Sequence, residues 1–202
     1  MKDNQNASLV IDLNSNTLIT GENAYPVIEN GNTLKDVKIK NGTISDSDTM
    51  QVGARGDVKL VLENCTMDGG EAGVATQLDS GNTQLKMVNC IVKNSSYYSV
   101  IAQGGANALH TVDISGGSFG DSIHAYDCNL KISGAPVIQG TIFFSDVYNA
   151  GKLDLSGLSG SNSYTLTTNA DDSRITWPDS AKWKVEQVKV DGYNRTYSIS
   201  PK

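Results

Sequence analysis

The chain has 202 residues, with 16 Lys and Arg against 22 Asp and Glu and a formal charge of −6. That balance excludes a nucleic acid or anionic membrane held by charge, because phosphate binding needs a concentrated basic surface. No run of about 18 apolar residues exists to span a bilayer. The 3 cysteines, none in a CxxC or CxxH pair, exclude a disulfide framework and the usual zinc spacings.

The opening MKDNQNASLV lacks the apolar core of a signal peptide. The abundance of Gly, Asn, Ser and Thr with few aromatics is that of secreted β-rich proteins. The expectation is a segment of a longer exported chain, with a cytosolic protein as the alternative.

The first predicted element is VIDLNSNTLIT at 10–20, where Ile11 and Leu13 alternate with polar residues, the chain bends at Ser15, and Leu18 follows. The pattern returns in LKDVKIKNGTI at 34–44 (Val37, Ile39, Asn41, Ile44) and in VKLVLENCTM at 58–67 (Leu60, Leu62, Asn64, Met67). It recurs around Asn89 (Leu85, Met87, Val92), Gly116 (Val112, Ile114, Phe119), Gly134 (Leu130, Ile132, Val137) and Gly157 (Leu153, Leu155), where Gly160 breaks the last slot. The bend residues are 26, 23, 25, 27, 18 and 23 positions apart.

Alternation with period two puts the paired aliphatic residues on one face of a strand. Asn and Gly suit the bend because they tolerate unusual backbone angles. Between these units lies a second apolar set, Met50, Val52, Val74, Val100, Ile123, Ile142 and Phe144. One unit of this size cannot close a core, whereas stacked units can, each strand pairing in parallel with its copy at about 4.8 Å per coil. A leucine-rich repeat shares the period, but the return segments here show no helical spacing. The outward positions agree with stacking: Lys86, Asp113, Lys131 and Asp154 alternate in sign, Asp36 stands beside Lys59, and Lys40 beside Glu63.

These residues predict an all-β fold, a single-stranded right-handed parallel β-helix of about seven coils with a C-terminal β cap. Residues 1–170 form the helix. Residues 171–202 leave the repeat, and VEQVKV followed by RTYSI around DGYN reads as a closing hairpin of the same domain.

The coils resemble the right-handed parallel β-helix proteins of the pectate-lyase-like superfamily, and most nearly the repeat-built surface proteins of Gram-positive gut bacteria. VIDLNSNTLIT is similar to that group's opening coil, and LKDVKIKNGTIS, VDISGGSF and LKISGAPVIQGTIFF to its later coils, over about residues 8–168. The resemblance implies an extracellular setting and an inward ladder of Asn41, Asn64 and Asn89 at one bend. It implies catalysis only where the superfamily's equipment is present: carboxylates holding calcium beside a basic residue in lyases, or grouped Asp in hydrolases. The outward face here sets Lys between the Asp residues, Arg55 is the only Arg before residue 174, and no paired acid and base emerges. No catalytic residue is expected.

Of the remaining motifs, Arg55-Gly56-Asp57 reads as a polar turn rather than an integrin signal. Cys65 and Cys90 share a slot in adjacent coils and read as stacked free thiols, with Cys128 unstacked. The acidic corners SDSDT at 45–49 and Asp68 with Glu71 are where calcium would sit, and they read as solvated turns. No cofactor and no metal site is expected. His110 and His124 read as isolated surface or strand-end residues. Thr17, Thr43 and Thr66 form a ladder broken at Ile91.

Exposed aromatics beside carboxylates grip sugar rings. The candidate ligand-binding residues are therefore Tyr97 and Tyr98, in a loop, and Asp171, Asp172, Arg174 and Trp177 in the tail, where Trp177 and Trp183 alternatively cap the last coil. The expected function is a non-catalytic surface or secreted module for adhesion or glycan binding, partnered by a glycan or host surface component and by further domains. The alternatives are a polysaccharide lyase or hydrolase and a structural stalk.

Overall fold

The structure, a computed structural model, describes residues 7–21, 27–29, 34–45, 48–76, 81–105, 108–148 and 151–202. The first coil is β1 (Ala7–Asp12), β2 (Thr17–Ile19) and β3 (Val27–Glu29). Two coils follow in which a long bent strand meets a return strand: β4 (Leu34–Ser45) with β5 (Met50–Arg55), and β6 (Lys59–Asp68) with β7 (Ala72–Thr76). Then come β8 (Gln84–Val88), β9 (Ile91–Lys93) and β10 (Tyr98–Gln103). The next coil is β11 (Thr111–Ser115), β12 (Ser118–Phe119) and β13 (Ile123–Tyr126). It is followed by β14 (Asn129–Ser133), β15 (Val137–Ile138) and β16 (Ile142–Ser145). The chain closes with β17 (Lys152–Asp154), β18 (Tyr164–Thr168), β19 (Ile175–Thr176) and the hairpin β20 (Trp183–Asp191) and β21 (Asn194–Pro201).

The winding is a parallel β-solenoid of about six turns, close to the seven expected. One sheet carries the strands before and after each bend, and a second sheet carries the return strands in the order β3-β5-β7-β10-β13-β16-β18-β21-β20. Among the described strands pairing is parallel until β21, which runs antiparallel to both β18 and β20.

Equivalent aliphatic residues stack as the repeat requires. Ile39, Leu62, Met87, Ile114 and Ile132 are register neighbours in one column, and all are buried. Val37, Leu60, Leu85, Val112, Leu130 and Leu153 form the next. On the return sheet Val52, Val74, Val100, Ile123, Ile142 and Leu166 form a third, also buried. Each such side chain contributes about 1.5–3 kcal/mol by leaving water, and the contribution repeats along the axis because each coil from β4 onward buries the same face.

The bends are left-handed, as the Asn and Gly residues there predict. Asn41, Asn64, Asn89, Gly116 and Gly134 have φ of 58°, 53°, 50°, 67° and 73°. The asparagine ladder, however, lies on the outer rim rather than inside. Asn64 Nδ2 donates to Asn41 Oδ1 (3.3 Å), and Asn41 Nδ2 donates to Asp12 Oδ1 (3.2 Å). The inward place at this corner belongs to the following residue: Cys65 and Cys90 are buried free thiols. Each thiol donates to a carbonyl one coil back, Cys65 Sγ to Ile39 at 3.3 Å and Cys90 Sγ to Leu62 at 3.4 Å.

The expected outward pairs stand in register: Asp36 with Lys59, Lys40 with Glu63, Lys86 with Asp113, and Lys131 with both Asp113 and Asp154. Two corners differ from the repeat. The first corner holds two extra residues, so Leu9 and Ile11 pair with Val37 and Ile39, and Asp12 meets Lys40 (2.9 Å). Beyond the corner Leu18 keeps its expected place opposite Ile44, though it is exposed. At the corner after Gly134, Ala135-Pro136 adds one residue, so Ile138 rather than Val137 pairs with Phe119, and Val137 faces solvent.

The histidines are placed differently from expectation. His110 precedes β11 but is wholly buried, its Nδ1 2.9 Å from Thr76 Oγ1. Burial holds the imidazoles of His110 and His124 below their ordinary value. Well above the ordinary imidazole midpoint of about 6.5 both are neutral in the folded and unfolded chains and contribute nothing to pH dependence. As pH falls through that value the unfolded chain takes up protons first, so stability declines. The expected result is a melting temperature that drops between about pH 7 and pH 5, before carboxylates titrate. Proton NMR should show both imidazoles titrating below their ordinary midpoint. A flat melting profile with ordinary midpoints would contradict the burial.

Candidate functional site

The tail departs from the period and builds a groove. Asp171 caps a single 3-10 turn (Asp172–Arg174), its carboxylate accepting from Ser173 N at 2.9 Å. That bond holds the Asp171 carboxyl below its ordinary range. The turn hands the chain to β19, which pairs with β17, and the segment then crosses to β20. Between this crossing and the inner face of the hairpin lies a cavity of about 460 Å³.

Alternation in the hairpin decides what faces it. Val185 pairs with Ile199 and Gln187 with Tyr197, so these four share the inner face. Tyr197 and Trp177 meet with ring centroids 4.9 Å apart at 55°, and both line the cavity. Arg195 lies 5.9 Å over the Tyr197 ring. Asp172 is fixed by two donors on one oxygen, Arg195 Nη1 at 2.9 Å and Tyr197 Oη at 3.3 Å. Burial raises the Tyr197 phenol, keeping its proton. Trp183 is buried and packs against Tyr164 at 6.0 Å, closing the last coil beneath the groove. Lys202 Nζ donates to the Ser180 carbonyl (2.7 Å), tying the final residue to the opposite wall.

The groove thus offers tilted aromatic and aliphatic surface with a fixed carboxylate at its side. Among the described residues no partner holds the Trp177 indole N–H or the Gln187 amide. An apolar concavity with a few convergent polar groups is the usual form of a small-ligand site.

Of the tail residues expected to bind, Asp172 and Trp177 line this groove. Asp171 is spent on its cap, and Arg174 Nε lies 3.7 Å from Asp146 Oδ2, a side chain with no exposed surface. Trp177 is a wall and Trp183 the cap, so the two tryptophans divide the roles considered for them. Tyr197, Val185 and Gln187 were not foreseen. Their signal was the alternation of VEQVKV and RTYSI, which assigns inner faces once the strand pairing is known.

Tyr97 and Tyr98 stand elsewhere. Tyr98 begins β10 rather than lying in a loop, and β13, β16 and β18 separate it from β21. It opens an aromatic run on the outer face of the return sheet. Ring centroids are 6.2 Å apart for Tyr97 and Tyr98, 4.4 Å for Tyr98 and His124, and 5.0 Å for His124 and Phe143. Tyr126 lies 6.0 Å from His124 and 5.8 Å from Phe143, and its hydroxyl is 3.0 Å from His124 Nδ1. His124 is therefore not isolated. These rings lie against one another, which is the ordinary stabilisation of neighbouring strands, and Tyr97 is the exposed member. His124 and Phe143 each follow an inward Ile by one position, a regularity visible once Ile123 and Ile142 are aligned.

The acidic corner at 45–49 includes residues 46 and 47, which lie outside the described residues. At the other corner the Asp68 carboxylate is engaged by Lys93 Nζ (2.9 Å) and Asn94 Nδ2 (2.7 Å), which holds its carboxyl below the ordinary range. Asp57 of the Arg-Gly-Asp turn accepts from Asn82 N at 2.8 Å, so that carboxylate ties its turn to the next coil. No helix of the described residues is long and apolar enough to cross a membrane.

Comparison of the chain with family models, with curated proteins and with solved structures gives no match.

Proposed function

We propose that the chain is a non-catalytic binding module of a secreted or cell-surface protein, and that it takes a glycan in the groove of its closing hairpin. The observation that carries this reading is the tilted pair Trp177 and Tyr197 beside Asp172 in a 460 Å³ cavity. Aromatic faces stack on the apolar face of a sugar ring, and a fixed carboxylate accepts its hydroxyls. The likeness of the coils to pectate-lyase-like surface proteins of gut bacteria supports the same setting. Glycosidic cleavage uses two carboxylates flanking the bond. The groove presents one, Asp172, already bound by Arg195 and Tyr197, which favours binding over hydrolysis.

A glycan array followed by calorimetry on the leading hit tests this. Trp177→Ala is expected to weaken binding at least about 10-fold, as removal of a central aromatic anchor does, while leaving the melting transition in place. Tyr97→Ala should bind as the parent does. The reading fails if no glycan gives a saturable signal, or if the loss follows Tyr97 instead of Trp177.

A further inference from the structure

Strand β20 ends the return sheet, and among the described residues its far edge pairs with nothing. It is nine residues long, and Val188 and Val190 are 60% and 59% exposed. An exposed edge of this length is a template for another strand, and natural edges are normally blunted by charge. The charges here have a particular order, Lys184-Val185-Glu186-Gln187-Val188-Lys189-Val190-Asp191. Read from either end they are complementary.

Strand geometry makes that order meaningful. Val188 is an extra residue in the β20–β21 ladder, where Gln187 pairs with Tyr197 and Lys189 with Thr196. This bulge inverts the alternation at its midpoint. Lys184, Glu186, Lys189 and Asp191, opposite Ser200, Ser198, Thr196 and Asn194, therefore all lie on the outer face. Val185 and Val190, opposite Ile199 and Arg195, both lie on the inner one. Within each half of the strand the charges also pair, Lys184 with Glu186 at 2.8 Å and Lys189 with Asp191 at 3.1 Å.

We propose that β20 is a dimerisation edge, pairing antiparallel with β20 of a second copy about a two-fold axis normal to the sheet and centred between Gln187 and Val188. In that register Lys184 faces Asp191 of the second copy, Glu186 faces its Lys189, and Val185 faces its Val190. Each pair occurs twice by symmetry, and each joins residues of the same face, as neighbouring strands require. Without the bulge, a two-fold would put Lys184 and Asp191 on opposite faces and the complementarity would be lost. One strand edge per copy is a small interface, so the dimer is weak and reversible. The groove residues Val185 and Gln187 lie on this strand, so the dimer sets two grooves on the same side of a joined sheet.

Analytical ultracentrifugation of the full chain over about 1–500 µM tests it. The parent is expected to shift from monomer to dimer with concentration, and less so at about 1 M salt, where exposed charges are screened. The side chains involved are more than half exposed, so charge reversal spares the fold, which the melting temperature verifies. E186K/D191K and K184E/K189E each put like charges opposite and should pair at least about 10-fold more weakly alone. An equimolar mixture of the two should form a heterodimer. A parent that stays monomeric overturns the proposal, as does pairing indifferent to salt, a reversed variant that self-associates like the parent, or a mixture that fails to pair.

Discussion

Leu62→Ala is expected to lower the unfolding free energy by about 3 kcal/mol, within the range for a fully buried leucine. Leu62 has no exposed surface and stands between Ile39 and Met87 in the inner column. Truncation leaves a cavity that neighbouring coils cannot fill, because their spacing is fixed by backbone hydrogen bonds on both sides. In a domain of this size the melting temperature should fall by about 6–12 °C. Leu9→Ala is the comparison. Leu9 pairs with Val37 at the first coil but is 42% exposed, so its truncation should cost under about 1 kcal/mol. Calorimetry on both variants checks the stacking directly, since equal losses would mean that Leu62 does not lie between two coils.

Gly117→Ala should be at least as damaging, for a different reason. Gly117 has φ of +94°, and a Cβ there would lie 2.2 Å from the Cys90 carbonyl oxygen and 2.9 Å from its nitrogen. Both atoms are backbone of the adjacent coil, so neither can rotate away. Gly192, in the tip between β20 and β21, has φ of +60° with nothing within 4 Å of its Cβ position. Gly192→Ala therefore bears only the backbone strain, about 1–2 kcal/mol. Gly117→Ala bears strain and overlap together, about 4 kcal/mol or more. Chemical denaturation of the pair separates the two contributions, and a Gly117→Ala protein recovered only unfolded agrees in direction. Similar losses for both would show that the coils can spread at this corner.

The interior of the solenoid was legible because a parallel stack repeats one constraint at every coil. Each of Val37, Leu60, Leu85 and Val112 meets its own equivalent, so the period in the sequence is the period in space. Departures arose where residue count and spatial step disagree. The extra residues at Asn14-Ser15 and Ala135-Pro136 bulge outward at no cost to the ladder, and alignment by the bend residue misplaces the strands beside them. The resemblance to other β-helices implies inward asparagines at this bend. A left-handed residue instead turns its side chain to the rim and gives the inward place to the next one, here Cys65 and Cys90. The groove was only half legible. Asp172 and Trp177 stand out by residue type, but Val185, Gln187 and Tyr197 become neighbours through an antiparallel pairing that no repeat announces. Two of the rings against His124, Tyr98 and Phe143, lie a coil away, and the third, Tyr126, shares its face by strand alternation.

The three thiols add a consequence for how the rod comes apart. Cys65, Cys90 and Cys128 lie in different turns, all buried, and burial pushes the thiols of Cys90 and Cys128 up to about 12. In the closed state they are protonated and out of reach, so an alkylating reagent reacts with each only when its own stretch of the winding loosens. The chain thus carries three native time-stamps at different heights, and the order in which they are modified reports whether unravelling starts from one end or everywhere together.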